Sequence, residues 1–174
     1  YPTAAPTYDD DGNMASCPLS SGTWTMTWDA ENRLVTAIKN DDTKLEFSYD
    51  YMSRRLEKKA YSWDTDHWSQ TSGLRFVYDD YLQIEQLDAL DSNAIEKKRI
   101  WGAEGKIISD IDSSDMSFYA LGDANKNITE YLDDSGTIQG HYEFSPFGKI
   151  TVASGNNPDA FDFRYSSEYF EAET

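Results

Sequence analysis

The chain has 174 residues, a net charge of −17 and a pI near 4.2, a balance that repels nucleic-acid phosphates and anionic membrane surfaces. Cys17 is the only cysteine, which excludes an intrachain disulfide, a CxxC redox pair and a cysteine-built zinc site, and no apolar run approaches the ~18 residues of a membrane span. Only 39% of residues are hydrophobic while 14% are aromatic, so rings with a polar edge carry much of the burial, which favours sheet over helix.

The length suits one unit, 1–174. It opens on Tyr1-Pro2-Thr3-Ala4-Ala5-Pro6, which lacks the charged-then-apolar pattern of a signal peptide, so an export signal is expected on sequence outside these residues. Acidic residues are interleaved with aromatics along the whole chain, which reads as a folded acidic surface rather than a disordered tail. Cys17 reads as a small, buried or half-buried side chain.

In chain order a module then recurs. An aromatic, usually followed by Asp, opens it; Gly or another turn-tolerant residue stands four places on, and an aliphatic or Met six or seven on. Tyr8-Asp9-Asp10-Asp11-Gly12-Asn13-Met14 is the cleanest copy. Trp28-Asp29-Ala30-Glu31-Asn32-Arg33-Leu34 follows, then Tyr49-Asp50-Tyr51-Met52-Ser53-Arg54-Arg55-Leu56. Tyr78-Asp79-Asp80-Tyr81-Leu82-Gln83-Ile84 lacks the glycine, Trp101-Gly102-Ala103-Glu104-Gly105-Lys106-Ile107 lacks the aspartate, and Gly122-Asp123-Ala124-Asn125-Lys126-Asn127-Ile128 lacks the aromatic. Phe144-Ser145-Pro146-Phe147-Gly148-Lys149-Ile150 closes the series. The copies start at 8, 28, 49, 78, 101, 122 and 144, a period near 21.

Each copy reads as a hairpin. Alternating strands enter the aromatic, as in Thr23–Trp28 and Leu45–Tyr49. Asp at the turn start accepts backbone amides two residues on, and the fourth place tolerates a positive φ. Strands such as Leu34–Ile38 and Ile128–Leu132 leave it, and second turns at Asn40–Thr43, Asp64–Asp66 and Asp133–Gly136 return the chain. The longer step after Tyr49 predicts a long hairpin, with 56–61 pairing against 68–78 across an Asp64–His67 turn. Ala89–Arg99 is expected to hold a short helical turn or an irregular crossing.

Candidate sites are few. His67 and His141 sit in different modules and read as ordinary strand histidines. The density of acids makes carboxylate pairs common by chance, and no GxSxG, HExxH, P-loop or dinucleotide fingerprint is present, so the chain is expected not to be an enzyme and to need no cofactor. Asp9–Asn13 and Asp123–Asn127 resemble calcium loops superficially. The first has Ser20 where such a loop wants its bidentate Glu, and the second has Ile128 in place of the glycine, so structural turns are the expected reading. Trp24, Trp28, Trp63, Trp68 and Trp101 are expected to line the sheet in cross-strand pairs; if clustered on an exposed face they would instead suit glycans.

The Tyr-Asp-x-x-Gly-Asn module, Trp28–Val35 and above all Tyr142-Glu143-Phe144-Ser145-Pro146-Phe147-Gly148 resemble the YD repeats and associated core of Rhs proteins. Ala160–Thr174 is similar to the segment that follows in that family, and the resemblance covers essentially the whole chain. On it, the repeat-defining residues are Tyr8, Asp9, Gly12, Trp28, Asp29, Tyr49, Asp50, Tyr78, Asp79, Asp123, Tyr142, Phe144, Pro146, Phe147 and Gly148. The resemblance implies an all-β curved strip of antiparallel hairpins. It would form part of a shell in a larger secreted or surface bacterial protein, with the rest of that polypeptide and a toxin cargo as partners. The self-cleaving Asp-Pro-x-Gly-Leu motif of the family is not among these residues, and no protease or toxin residue is carried over. A carbohydrate-binding or adhesive module is the alternative, and an isolated open strip is expected to curl onto itself, to pair edge-to-edge with another copy or to be marginally stable.

Overall fold

Period-2 alternation dominates the computed structural model, which describes residues 4–19, 22–40 and 42–172. Its strands are β1 (Thr7–Tyr8), β2 (Met14–Leu19), β3 (Gly22–Trp28), β4 (Leu34–Lys39), β5 (Thr43–Tyr49), β6 (Arg55–Asp64), β7 (His67–Asp79) and β8 (Leu82–Asp88). They continue with β9 (Ala94–Trp101), β10 (Ile107–Asp112), β11 (Ser117–Gly122), β12 (Ile128–Leu132), β13 (Ile138–Phe144) and β14 (Ile150–Ser154). Each lies beside its chain neighbours in one 14-stranded sheet running from β1 to β14. The registered pairs are antiparallel throughout. The only helical pieces among the described residues are three-residue 3-10 turns at Ala103–Gly105, Pro158–Ala160 and Tyr165–Ser167.

The long hairpin is present as read, with Glu57 opposite Arg75 and Asp64 opposite His67. Ala89–Arg99 is neither helical nor irregular. A turn with Ser92 and Asn93 at positive φ leads straight into β9, where Lys97–Ile100 pair antiparallel with Ser109–Asp112 of β10. In the Asn40–Thr43 turn Asn40 takes φ 46, while Asp41 lies outside the described residues, as do Ser20 and the terminal Tyr1–Thr3 and Glu173–Thr174.

Two compact units are formed, Tyr1–Val77 with Leu87–Ala94, and Tyr78–Gln86 with Ile95–Thr174. In the first, Met26, Ala37, Leu45 and Ala60 stand opposite one another across β3 to β6, so small alanines interleave with larger side chains. Trp24 and Phe47 complete that core, with Cys17, half-buried, packed against it. In the second unit Ile107, Ile128, Tyr131 and Tyr142 are buried on one sheet face. The chain beyond β14 folds over that face as a strap carrying Phe161 and Phe163. Full burial of each such side chain stabilises by about 1.5–3 kcal/mol.

Candidate functional site

The recurrent turn is one object built repeatedly. Asp9, Asp29, Asp50 and Asp123 each donate their amide to the carbonyl four residues on and accept, at their own carbonyl, the amide three residues on. Their Oδ1 atoms accept the amides two and four residues on. The residue in between, Gly12, Asn32, Ser53 or Lys126, takes φ between 58 and 85. A carboxylate gripping two amides over-determines the turn, which is why Ser53 and Lys126 adopt a conformation that ordinarily favours glycine. The strand pair bulges at the same place each time, beside Tyr8, Trp28, Tyr49 and Gly122.

Side chains four residues after the aspartate complete the grip. Arg33 Nε and Arg54 Nε donate to Oδ2 of Asp29 and Asp50 at 2.8 and 2.7 Å, and Asn13 and Asn127 do the same through their amides. These bonds hold carboxyls below their ordinary range, Asp29 chiefly through Arg33 and Asp123 chiefly through Asn127. Asp133, bound by Ser135, Thr137 and Gln139, is brought down to about 2.

The same turn also occurs at Asp133, where the sequence predicts only a return of the chain, and at Asp112, where no aromatic precedes it. Asp133–Thr137 repeats every bond made by backbone amides, with Gly136 at φ 81, and so does Asp112–Met116, with Asp115 at φ 59. Asp-x-x-Asp and Asp-x-x-Gly were the available signals. The degenerate copies keep the geometry by other means. Ser145 Oγ replaces the carboxylate, accepting the Lys149 amide at 3.2 Å, and Gly102 closes on Lys106 through backbone alone. The Tyr78-Asp79 copy departs from the rest, because β7 runs through Asp79 and turns at Asp80–Tyr81, with Asp80 at φ 51.

The opening aromatic ties one module to the previous one. Trp28 Nε1 donates to the Met14 carbonyl and Tyr49 Oη to the Leu34 carbonyl, both at 2.8 Å, and Met14 and Leu34 are the aliphatic positions of the preceding copies. Trp101 Nε1 reaches the Gln83 carbonyl at 2.7 Å in the same manner. A ring that fills the sheet face while presenting one donor at its rim is what this position requires. Turns are also tied together, by Asn13 to Asn32 Oδ1, by Arg33 to the Asp50 carbonyl and by Lys106 to the Gly122 carbonyl.

Tyr142 and the Phe144–Gly148 run serve the strap. The Tyr142 hydroxyl donates to the Pro158 carbonyl, and Tyr165 Oη donates to the Pro146 carbonyl while its ring lies over Gly148. Phe147 points to solvent, almost fully exposed. Tyr131 stacks on Phe161 with ring centres 4.0 Å apart and donates to the Phe163 carbonyl at 2.9 Å.

Beneath the strap lies a charged group that no motif announced. The Arg99 guanidinium, wholly buried, donates to the side-chain oxygens of Gln83 and Gln86 and to Asp162 Oδ2 at 2.7 Å, and sits 4.9 Å from the centre of the Phe163 ring. Lys97 Nζ binds the same Asp162 oxygen at 2.7 Å. Asp110 faces Arg99 Nε at 3.8 Å, yet neither of its carboxylate oxygens has a hydrogen-bond partner. Burial pushes the Asp110 carboxyl up to about 6 against the pull of Arg99 and Lys97.

The histidines remain apart: His67 pairs with Asp66 at 2.8 Å in solvent, and His141 with Glu130 at 3.0 Å. Among the described residues no group of three His, Cys, Asp or Glu side chains could hold a metal ion. Trp24 is buried, and Trp63 meets Trp68 edge-to-face across the β6–β7 hairpin at 5.1 Å, the cross-strand pairing expected of these rings. No helix among the described residues is long and apolar enough to cross a membrane.

No protein-family model matches the chain. The tRNA3(Ser)-specific nuclease WapA of Bacillus spizizenii is 25% identical over 170 residues, covering 96% of this chain and 7% of that protein. The tRNA nuclease WapA of Bacillus subtilis (strain 168) is also 25% identical with the same coverage. The chain thus spans 7% of the length of these curated relatives. Among solved structures, a crystal structure of TcdB2-TccC3-TEV superimposes with a TM-score of 0.70 at 16% identity, over 95% of this chain and 8% of that one. The Photorhabdus luminescens Tc holotoxin pore does so with a TM-score of 0.68 at 15% identity, over 95% and 8%. The repeated aspartate turn, the aromatic tie and this fold define an all-β YD-repeat segment. Likeness in sequence to the WapA proteins and in fold to the TcdB2-TccC3 structures supports an Rhs/YD-repeat family for the chain.

Proposed function

We propose that this chain is a non-enzymatic wall segment of a larger secreted or surface Rhs-type protein that encloses or presents a toxin or effector. The observation that carries the reading is that the repeated functional groups are consumed internally. Turn carboxylates are occupied by backbone amides two and four residues on, and the opening aromatics by carbonyls of the preceding module. Groups so engaged serve continuity of the sheet and offer no free acid, base or nucleophile. Its charge of −17 suits a wall better than a surface that grips tRNA. The nuclease activity named for the WapA relatives would then belong to sequence beyond the matched 7%. The turns at Asp9 and Asp123 act as structural turns without calcium in this reading.

The test has two parts. The purified chain should leave a tRNA pool intact, and in the parent protein the downstream region should resist limited proteolysis until the wall is opened by urea. Cleavage of tRNA by the chain alone, lost on a point substitution within it, would overturn the proposal. Glycan binding is the second reading, favoured by the Tyr61, Trp63 and Trp68 rings at one hairpin, of which Trp63 is the most open. A glycan array that scores binding and loses it with Trp63→Ala would support that reading instead.

A further inference from the structure

Asp110 stands out from every other acid described above. The turn aspartates are exposed or half-buried and saturated with donors, whereas Asp110 is 2% exposed and neither oxygen receives a hydrogen bond. Its surroundings on each side are fixed. Arg99 and Lys97 face it from β9, Asp112 from its own strand, Tyr131 from β12, Tyr142 from β13 and Asp162 from the strap, while Phe118 lies opposite on β11. The nearest cation, Arg99, is committed elsewhere. Its terminal nitrogens bind Gln83, Gln86 and Asp162, and only Nε, 3.8 Å away and beyond hydrogen-bond reach, is directed at Asp110.

We propose that Asp110 is a proton-operated latch for the strap: it binds a proton as the medium passes from neutral to mildly acid, and the strap is then held more tightly over the sheet. A buried carboxylate without donors disfavours its own charge. When charged, Asp110 also competes with Asp162 for Arg99 and repels it. Protonation removes both effects and leaves Asp162, the strap's acid, as sole counterion of Arg99 and Lys97. The strap is further joined to the sheet by the Ile128 amide on the Arg164 carbonyl and by Tyr131 on the Phe163 carbonyl, so its seating can be followed directly.

The sign follows from linkage. The folded carboxyl titrates at about 6 against an ordinary 3.8, so the folded form binds more protons between those values and stability falls as pH rises through them. The opening equilibrium of the strap should therefore be about tenfold more closed at pH 5 than at pH 7.5.

The experiment is amide hydrogen exchange on the whole chain at both pH values, corrected for intrinsic rates, read at Ile128, Arg164 and Phe170. It is accompanied by a carboxyl carbon NMR titration of Asp110. Protection rising about tenfold on acidification in the native chain, and unchanged with pH in Asp110→Asn, is the expected result. Equal pH dependence in both proteins, or an Asp110 titration in the ordinary carboxylate range, would overturn the latch. Should Asp110→Asn fail to fold, the titration of the native chain decides alone.

Discussion

Replacing Tyr131 tests whether the strap is an integral part of the second unit. Its ring is 0% exposed, stacks on Phe161 at 4.0 Å with an interplanar angle of 4°, and its hydroxyl donates to the Phe163 carbonyl at 2.9 Å. Tyr131→Phe keeps the stack and removes one buried hydrogen bond, leaving an unpaired carbonyl, at a cost of about 1–2 kcal/mol. Tyr131→Ala also opens a cavity between sheet and strap, for about 3–5 kcal/mol. Phe161→Ala removes the other half of the stack, and the double variant should fall short of the sum by about 0.5–1.5 kcal/mol, the coupling expected of an aromatic pair. Urea unfolding followed by fluorescence suits the measurement, because Trp101 packs edge-to-face on Phe163 at 5.1 Å and reports the strap directly. The midpoint should move at constant slope. A Tyr131→Ala variant that loses less than about 1 kcal/mol, or strict additivity with Phe161→Ala, would show that the strap is not packed as described.

Other predictions follow from the turns and ties. Acidification should weaken the fold between about pH 4 and about pH 2, because the carboxyls of Asp29, Asp123 and Asp133 lie below their ordinary value; circular dichroism should show Asp133→Asn to be less sensitive in that window than the native chain. Gly12→Ala should cost about 1 kcal/mol for its positive φ alone, since nothing lies within 4 Å of the added methyl. Gly148→Ala should cost more, because its methyl would stand 2.8 Å from the Tyr165 ring, and equal melting temperatures for the two variants would contradict that packing. Tyr49→Phe removes the tie to Leu34 and should lose about 1 kcal/mol in urea unfolding.

The modular part of this protein was legible because its determinants are local. An Asp that grips amides two and four residues on, a residue at positive φ and an alternating strand all act within a few residues, so spacing reveals them. The long β6–β7 hairpin was readable for the same reason. Degenerate modules were harder. Asp112–Met116 forms the full turn without an aromatic before it, whereas Tyr78-Asp79 has the motif but turns one residue late. Ala89–Arg99, polar and alanine-bearing, reads helically by composition, but strand pairing overrides such a weak local preference.

By itself, then, the order of residues determined the all-β class, the hairpin module and its near-constant period, because each depends on interactions a few residues long. Tertiary structure alone decided which rings donate to which carbonyls, how the strap covers the second core, and that Asp110 is buried beside Arg99. Asp110 meets Asp162 across 52 positions of chain, and whether a carboxylate is saturated with donors or starved of them depends on what folding brings next to it.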